Sequence, residues 1–436
     1  METGLVILLV IVVLYAVVAN WLGRRSITTP LFFLAIGALT GTYGLGWIDF
    51  SLSSENIKRL VEITLALVLF ADASKLSIGQ LREDAGLPAR LLFLALPLNI
   101  GLGGLLAFAF FPQEGIGFAL LIGAILAPTD AALGLPIFSN RRVPVRIRRA
   151  LNVESGLNDG IATPFVALFT ALAVAEVTQT LTDWLSVALL EIVIAVAVGT
   201  GLGISGGWLF SAAMRRRLTS RFMEQIGTLA LALATYFGSI VLGGNGFIAA
   251  FVGGLFFGYI ARHRQHGALE FTEAASGLLS VFVWTIFGSL LVIPLFVAFN
   301  PLALLYAILS LTVIRMLPVA LSLRGTHFRR DTQLVMGWLG PRGLASVVFT
   351  LIAYESFSEI ARPYDMLFAI AGWTILLSVL LHGFSALPIA RWYANRLKAV
   401  PPSTPEMLEV PDLEALQNQD DNQRLSSAPV NNPVNE

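Results

Sequence analysis

The chain has 436 residues, 56% of them hydrophobic and only 13% charged, with a formal net charge of zero and no cysteine. A soluble domain carries about 25% charged residues, so the composition excludes an ordinary soluble protein. The lack of cysteine excludes disulfides, thiolate metal sites and thiol chemistry, and the balanced charge gives no pointer to a nucleic-acid partner.

The apolar residues recur in blocks of about 17–25, the length that crosses ~30 Å of hydrocarbon. In chain order they fall near 4–22, 30–48, 57–75, 88–111, 116–138, 148–175, 183–212, 225–243, 246–261, 275–299, 301–323, 333–354 and 365–393. This predicts an all-α polytopic membrane protein with about thirteen transmembrane helices. A β-barrel would show alternating ten-residue segments instead. The first block has no basic segment before it and no small-residue cleavage site, so it reads as a retained helix. Tight turns are expected at Gly243-Gly244-Asn245-Gly246 and Asn300-Pro301.

The connecting loops alternate in charge. Odd-numbered loops hold nineteen Lys and Arg, among them Arg24, Arg90, Arg146, Arg217 and Arg329, whereas even-numbered loops hold only Lys58, Arg59 and Arg362. Basic loops stay in the cytoplasm, which predicts an outside N-terminus and a cytoplasmic C-terminus. The membrane domain is expected over 1–398, with repeat one at about 4–175, a linker helix at about 183–212 and repeat two at about 225–393. From about residue 399 the chain turns polar and acidic after Pro401-Pro402-Ser403-Thr404-Pro405. A disordered cytoplasmic tail is expected over 399–436, with a short helix near Glu406–Gln417, because too few apolar residues remain to build a core. No soluble regulatory domain is expected.

Charge inside the spans is the next signal, since ionisable residues in a membrane mark ion pathways or proton relays and usually pair. The basic ones are Arg315 and Arg342; the acidic ones are Glu62, Asp72, Asp130, Glu154, Asp159 and Glu191. The sixth span carries Glu154-Ser155-Gly156-Leu157-Asn158-Asp159. At helical spacing Glu154 stacks on Asn158, and Ser155 on Asp159. Ser155 and Asp159 then offer a neutral and an anionic oxygen one turn apart, suited to a small hard cation. Asn158 is placed to hydrogen-bond Glu154 and hold it still. The fifth span contains Ala127-Pro128-Thr129-Asp130, and the twelfth contains Gly340-Pro341-Arg342-Gly343. Proline breaks a helix. Paired interruptions at corresponding positions point to inverted repeats with ion sites at the breaks. Asp130 would sit at the N-terminal end of the second half-helix, where a carboxylate is stabilised.

Glu154 needs a cation; Arg342 is the first choice and Arg315 the second. Asp72, near the end of the third span, is a supporting ligand or an interfacial residue. Glu62 and Glu191 lie nearer span ends and read as solvated or structural. His263, His266, His327 and His382 fall in loops or near span ends without metal spacing. No phosphate loop, catalytic serine motif or zinc motif is present. A gated channel would need a continuous pore, and an intramembrane aspartyl protease would need its own motif context, which is absent.

At these residues the chain resembles the NhaP-type sodium/proton antiporters, over about residues 1–398. Asn158-Asp159 matches the family's Asn-Asp pair, Glu154-Ser155 precedes it at the family spacing, Thr129-Asp130 matches its Thr-Asp, and Arg342 matches its basic residue in the other crossed helix. The resemblance implies a homodimer in the bacterial inner membrane, with helix bundles moving the ion by an elevator-like shift. It implies Na+ and the proton at Asp159, with Ser155, the Thr129 backbone and Asp130 nearby. It implies Asn158 and Glu154 as a brace with an arginine, Arg342 or Arg315. Electrogenic relatives carry Asp-Asp where this chain has Asn158-Asp159, which favours electroneutral exchange. Many relatives place a proline directly after the residue matching Asp130, whereas here it is Pro128. No cofactor is implied beyond the transported ions, and K+ or Li+ could replace Na+.

Overall fold

A computed structural model describes residues 2–50, 55–76, 86–138, 140, 142–178, 183–261, 265–358, 365–398, 400–401 and 403–408. Every regular element among these residues is helical. In chain order they are α1 (Glu2–Arg24), α2 (Thr29–Thr40), α3 (Glu55–Ser74), α4 (Gly86–Phe110), α5 (Ile116–Ile125), α6 (Ala131–Phe138), α7 (Val145–Thr178) and α8 (Trp184–Arg215). They continue with α9 (Arg221–Val241), α10 (Gly246–Ile260), α11 (Gly267–Val297), α12 (Pro301–Ser322), α13 (Arg330–Trp338), α14 (Leu344–Ser358) and α15 (Asp365–Leu397). Seven of these, α1, α4, α7, α8, α11, α12 and α15, are long and apolar enough to cross a membrane. The protein is an integral membrane protein.

The helix ends follow local chemistry. Asn245 caps α10 by accepting from the Phe247 and Ile248 N–H groups at 3.0 and 3.1 Å. Asn300 caps α12 by accepting from Leu302 and Ala303, both at 3.0 Å. Each side-chain oxygen satisfies donors that a helix start leaves free, so both expected turns separate two helices. The second apolar block ends early, at Thr40 rather than 48. Gly41, Gly44 and Gly46 follow there, and Gly46 takes a positive φ of 68°, which disfavours helix continuation.

Wide π turns interrupt α4 at Leu91–Ala95, α11 at Gly288–Val292 and α12 at Ser310–Ile314. Such turns insert a residue into the ladder, shift the helical phase and occur often at functional sites. The one in α12 directly precedes Arg315. A buried apolar core runs through α2, α3, α4, α5, α7, α10, α11, α14 and α15. A second core joins the starts of α4 and α7 to the ends of α12, α13 and α15.

The first part of the polar tail packs onto that second core. Pro405–Met407 form one 3-10 turn, and Glu406 is fully buried. Its Oε1 accepts from the Arg329 N–H at 2.8 Å and the Thr332 hydroxyl at 2.9 Å. Arg146, at the start of α7, donates to the Pro405 carbonyl at 2.7 Å. The expectation of disorder from 399 onward is therefore corrected for these residues. Glu406 offers a carboxylate to the positive end of α13, whose own cap position, Arg329, supplies no side-chain acceptor. The rest of the expected tail, with most of the short helix, lies outside the described residues.

Candidate functional site

Two interrupted helices cross and bind each other through their breaks. α5 stops at Ile125 and α6 starts at Ala131; α13 stops at Trp338 and α14 starts at Leu344. Pro128 and Pro341 lie in the gaps, without N–H donors and with their preceding residues steered out of the helical region. The Asp130 N–H donates to the Pro341 carbonyl at 2.8 Å. The Asp130 carboxylate serves both half-helices: Oδ1 accepts from the Ala132 N–H at 2.7 Å, and Oδ2 from the Leu344 N–H at 3.1 Å. One negative charge thus caps the positive ends of α6 and α14.

Arg342 does the converse. It is fully buried, and its Nη1 donates to the Ala127 carbonyl at 2.8 Å and the Pro128 carbonyl at 3.3 Å. Those carbonyls lie just past the end of α5, where the helix dipole is negative. The Ser346 hydroxyl donates to the Ile125 carbonyl at 2.7 Å. The two glycines of the Gly340–Gly343 motif leave room for this crossing. A Cβ on Gly343 would overlap the Asp130 side chain, and one on Gly340 would overlap the Arg315 guanidinium.

The unbroken helix α7 runs beside the crossing. Glu154 accepts two parallel hydrogen bonds from Arg315, Oε1 from Nη1 at 2.6 Å and Oε2 from Nη2 at 3.1 Å. This corrects the first choice made from sequence: Arg315, not Arg342, is the partner of Glu154. The guanidinium of Arg342 is directed instead to the carbonyls at the broken end of α5. A second correction concerns Asn158. It does not hold Glu154; its Nδ2 donates to the Thr129 hydroxyl at 2.6 Å. The Thr129 and Ser155 hydroxyls are 3.4 Å apart. Thr129, Ser155 and Asn158 thus form a buried polar cluster between the break and α7.

Asp159 is half-buried, and among the described residues no protein group hydrogen-bonds or ion-pairs with its carboxylate. It stands one turn past Ser155 on the same helix. Asp72 is near enough to Asp130 and Asp159 to act on both electrostatically, while its carboxylate pairs with Lys75 at 3.0 Å, and Lys75 also reaches Glu273 at 3.6 Å. Both contacts lie at the end of α3.

One residue was misplaced by sequence reasoning. His382 is not near a span end; it is 1% exposed, and α15 continues to Leu397. A visible signal existed: Ser378, His382 and Ser385 recur at helical spacing in an otherwise apolar run. Taken together, the cluster can hold a small hard cation by neutral oxygens beside one anionic oxygen, and the same carboxylate can take a proton instead.

The chain matches the family described as sodium/hydrogen exchanger, transmembrane, over residues 6–392. It is 30% identical over 403 residues to the K(+)/H(+) antiporter NhaP of Alkalimonas amylolytica, with 90% of this chain and 67% of that protein covered. It is 26% identical to the K(+)/H(+) antiporter NhaP2 of Shewanella sp. (strain ANA-3), with 84% of this chain and 63% of that protein covered. The chain therefore spans about two thirds of the length of these relatives. It is 27% identical over 329 residues to the Na(+)/H(+) antiporter of Schizosaccharomyces pombe, covering 67% of this chain and 68% of that protein. The fold matches that of the sodium proton antiporter MjNhaP1 from Methanocaldococcus jannaschii at pH 8, with a TM-score of 0.71. That match has 22% identity and covers 90% of this chain and 99% of the other.

Proposed function

The chain belongs to the sodium/hydrogen exchanger family, and from that premise we propose that it exchanges a monovalent cation for a proton across a membrane, both competing for Asp159. The observation that carries this reading is the isolation of one carboxylate among three. Glu154 is neutralised by Arg315, and Asp130 accepts two backbone N–H groups. Asp159 alone has no protein partner among the described residues. A cation and a proton both bind at the carboxylate oxygens, so each displaces the other.

The same isolation supports electroneutral exchange. If one carboxylate changes occupancy, one proton moves per monovalent cation and no net charge crosses. Voltage, which acts on a moving charge with about 2.3 kcal/mol per 100 mV, then has no hold on the cycle. Asp159, Ser155 and Thr129 are the proposed cation ligands, with Asp130 close by as the cap that fixes the break. Glu154, Arg315, Asn158 and Arg342 are the proposed brace.

We read Na+ as the cation from the resemblance to sodium/proton antiporters. K+ is the second reading, favoured by the names of the bacterial relatives. We further propose thirteen spans in two inverted repeats about a linker helix, an outside N-terminus, a cytoplasmic C-terminus, a homodimer, and the bacterial inner membrane as the site of action. The test uses purified protein in lipid vesicles that enclose a pH dye. Addition of Na+ or K+ outside, at several clamped voltages, is expected to drive a pH change that does not vary with voltage. No cation-driven pH change sinks the antiport reading; a voltage-dependent rate sinks electroneutrality.

A further inference from the structure

In a continuous α-helix the Arg342 N–H would donate to the Trp338 carbonyl, four residues back. The break between α13 and α14 removes that bond. Both groups are held instead by one helix, α15. The Arg342 N–H donates to the Ser378 hydroxyl oxygen at 2.6 Å. The Trp338 carbonyl lies 2.8 Å from His382 Nε2. The Ser378 hydroxyl and His382 Nδ1 are 3.3 Å apart. Ser378 and His382 are one helical turn apart, so the three contacts join end to end across the gap.

We infer that Ser378 and His382 form a polar splint that stands in for the lost helical hydrogen bond, and that both are positioning residues for Arg342 and the crossing it holds. The donors and acceptors determine its polarity. Two carbonyls face the ring, that of Trp338 2.8 Å from Nε2 and that of Ser378 2.9 Å from Nδ1, and the Ser378 hydroxyl beside Nδ1 places the single proton on Nε2, which donates to Trp338. Nδ1 then has a lone pair, which accepts from the Ser378 hydroxyl. That hydroxyl in turn accepts from the Arg342 N–H, so the chain closes, with the bare Nδ1 also 2.9 Å from the Ser378 carbonyl as its one unfavourable contact. The opposite tautomer would let Nδ1–H donate to the Ser378 carbonyl, 2.9 Å away. It would also set a bare Nε2 lone pair against the Trp338 oxygen and leave the Ser378 hydroxyl without an acceptor at Nδ1, one hydrogen bond fewer for the same kind of clash. An imidazolium would donate to both carbonyls but would leave the Ser378 hydroxyl without an acceptor at Nδ1.

The rest of the Trp338 side chain is tied to the same helix. Its indole N–H donates to the Ser385 hydroxyl at 2.9 Å, and its ring stacks on His382 with centroids 5.0 Å apart and planes 29° apart. The splint therefore locks the last residue of α13 and the residue two before α14 to one rigid element. Between them lies Pro341, whose carbonyl receives the Asp130 N–H, and just beyond lies Leu344, whose N–H holds the Asp130 carboxylate. Loss of the splint loosens the crossing that borders Thr129 and Asp159.

The tautomer is read without transport, and only the kinetic arm rests on the proposed exchange. The chain with His263, His266 and His327 replaced by Gln is labelled with nitrogen-15 histidine and studied by solid-state NMR in lipid at pH 7. The expected signature is neutral imidazole with Nε2 protonated and Nδ1 bare. An Nδ1-protonated ring or an imidazolium overturns the proposal, whatever the vesicle assay shows. In that assay, His382→Phe keeps the stacking on Trp338 but neither nitrogen, and turnover is expected to fall about tenfold, the scale of one lost buried hydrogen bond. His382→Gln restores a donor to the Trp338 carbonyl and is expected to recover most of that loss. Unchanged turnover and unchanged pH profile in His382→Phe overturn the positioning role.

Discussion

Arg315 grips Glu154 through both arms of its guanidinium, at 2.6 and 3.1 Å, with the two side chains only 2% and 3% exposed. The pair joins α12 to α7 across 161 residues of sequence. A buried pair contributes less than its contacts suggest, yet removal of one partner strands the other charge, at a cost of about 3–5 kcal/mol. Glu154→Leu and Arg315→Leu are each expected to lower the unfolding temperature sharply. The double change Glu154→Leu/Arg315→Leu is expected to recover most of the loss. Thermal unfolding of the four proteins in one detergent checks this; additive losses would show that the two side chains are not coupled.

Asp159→Asn is expected to abolish cation-driven proton movement while the protein still folds. Its carboxylate has no hydrogen-bond partner to lose, and the amide has nearly the same shape. Asp183→Asn, at the exposed start of α8, is expected to leave exchange unchanged. Retained exchange in Asp159→Asn would refute the assigned site, provided both variants elute as the wild type does on a sizing column.

Thr129 supplies the hydroxyl that accepts from Asn158 and faces Ser155. Thr129→Val keeps the shape and removes the oxygen. The loss of a hydrogen bond and a candidate ligand is expected to raise the apparent KM for the cation about fivefold to tenfold, or about 1–1.4 kcal/mol. Thr129→Ser keeps the hydroxyl and is expected to stay near the wild type. A Val variant with an unaltered KM would remove Thr129 from the cation site.

Glu406 caps α13 from outside that helix. Glu406→Ala is expected to cost about 1 kcal/mol, as the loss of a helix cap does. Hydrogen exchange should rise in the first turn of α13, at Arg330 to Gln333, more than in α5. Equal exchange in the two helices would mean that the cap is not needed.

Lys58, in α3, forms an ion pair with Glu355, in α14, and both side chains are 31% exposed. A pair this open contributes no more than about 1 kcal/mol. We expect the elevator-like shift implied by the family resemblance to move α3 against α14 and so to break the pair. Glu355→Gln is therefore expected to raise turnover by a few-fold, at most about fivefold for ~1 kcal/mol. The reversal Lys58→Glu/Glu355→Lys is expected to bring it back. Slower turnover in Glu355→Gln would assign the carboxylate another role.

Much of this protein can be read along the chain. The apolar blocks, Pro128, Pro341 and the hexapeptide from Glu154 to Asp159 are local facts, and each has a local physical cost in hydrocarbon. That cost is why a polar residue inside a span, or a proline in the middle of one, carries so much information. The spacing of Ser155 and Asp159 follows from helical periodicity alone. His382 escaped although the apolar block at 365–393 encloses it, because the groups it meets, the Trp338 carbonyl above all, come from a distant helix and leave no mark beside it in the sequence.

The amino-acid sequence by itself determined that the chain lives in a membrane, that two of its helices are broken, and which carboxylates lie at or beside the breaks. Only the tertiary structure decided how these groups are shared. Arg315 takes Glu154, Arg342 takes the carbonyls beyond α5, Asp130 caps α14 as well as α6, and Asn158 turns to Thr129. The reason is geometric. Helical periodicity sets which residues share a face, but the partner across a crossing is chosen by the angle and register at which two distant helices meet. The Asp130–Leu344 bond spans 214 residues of chain, and no local pattern encodes it.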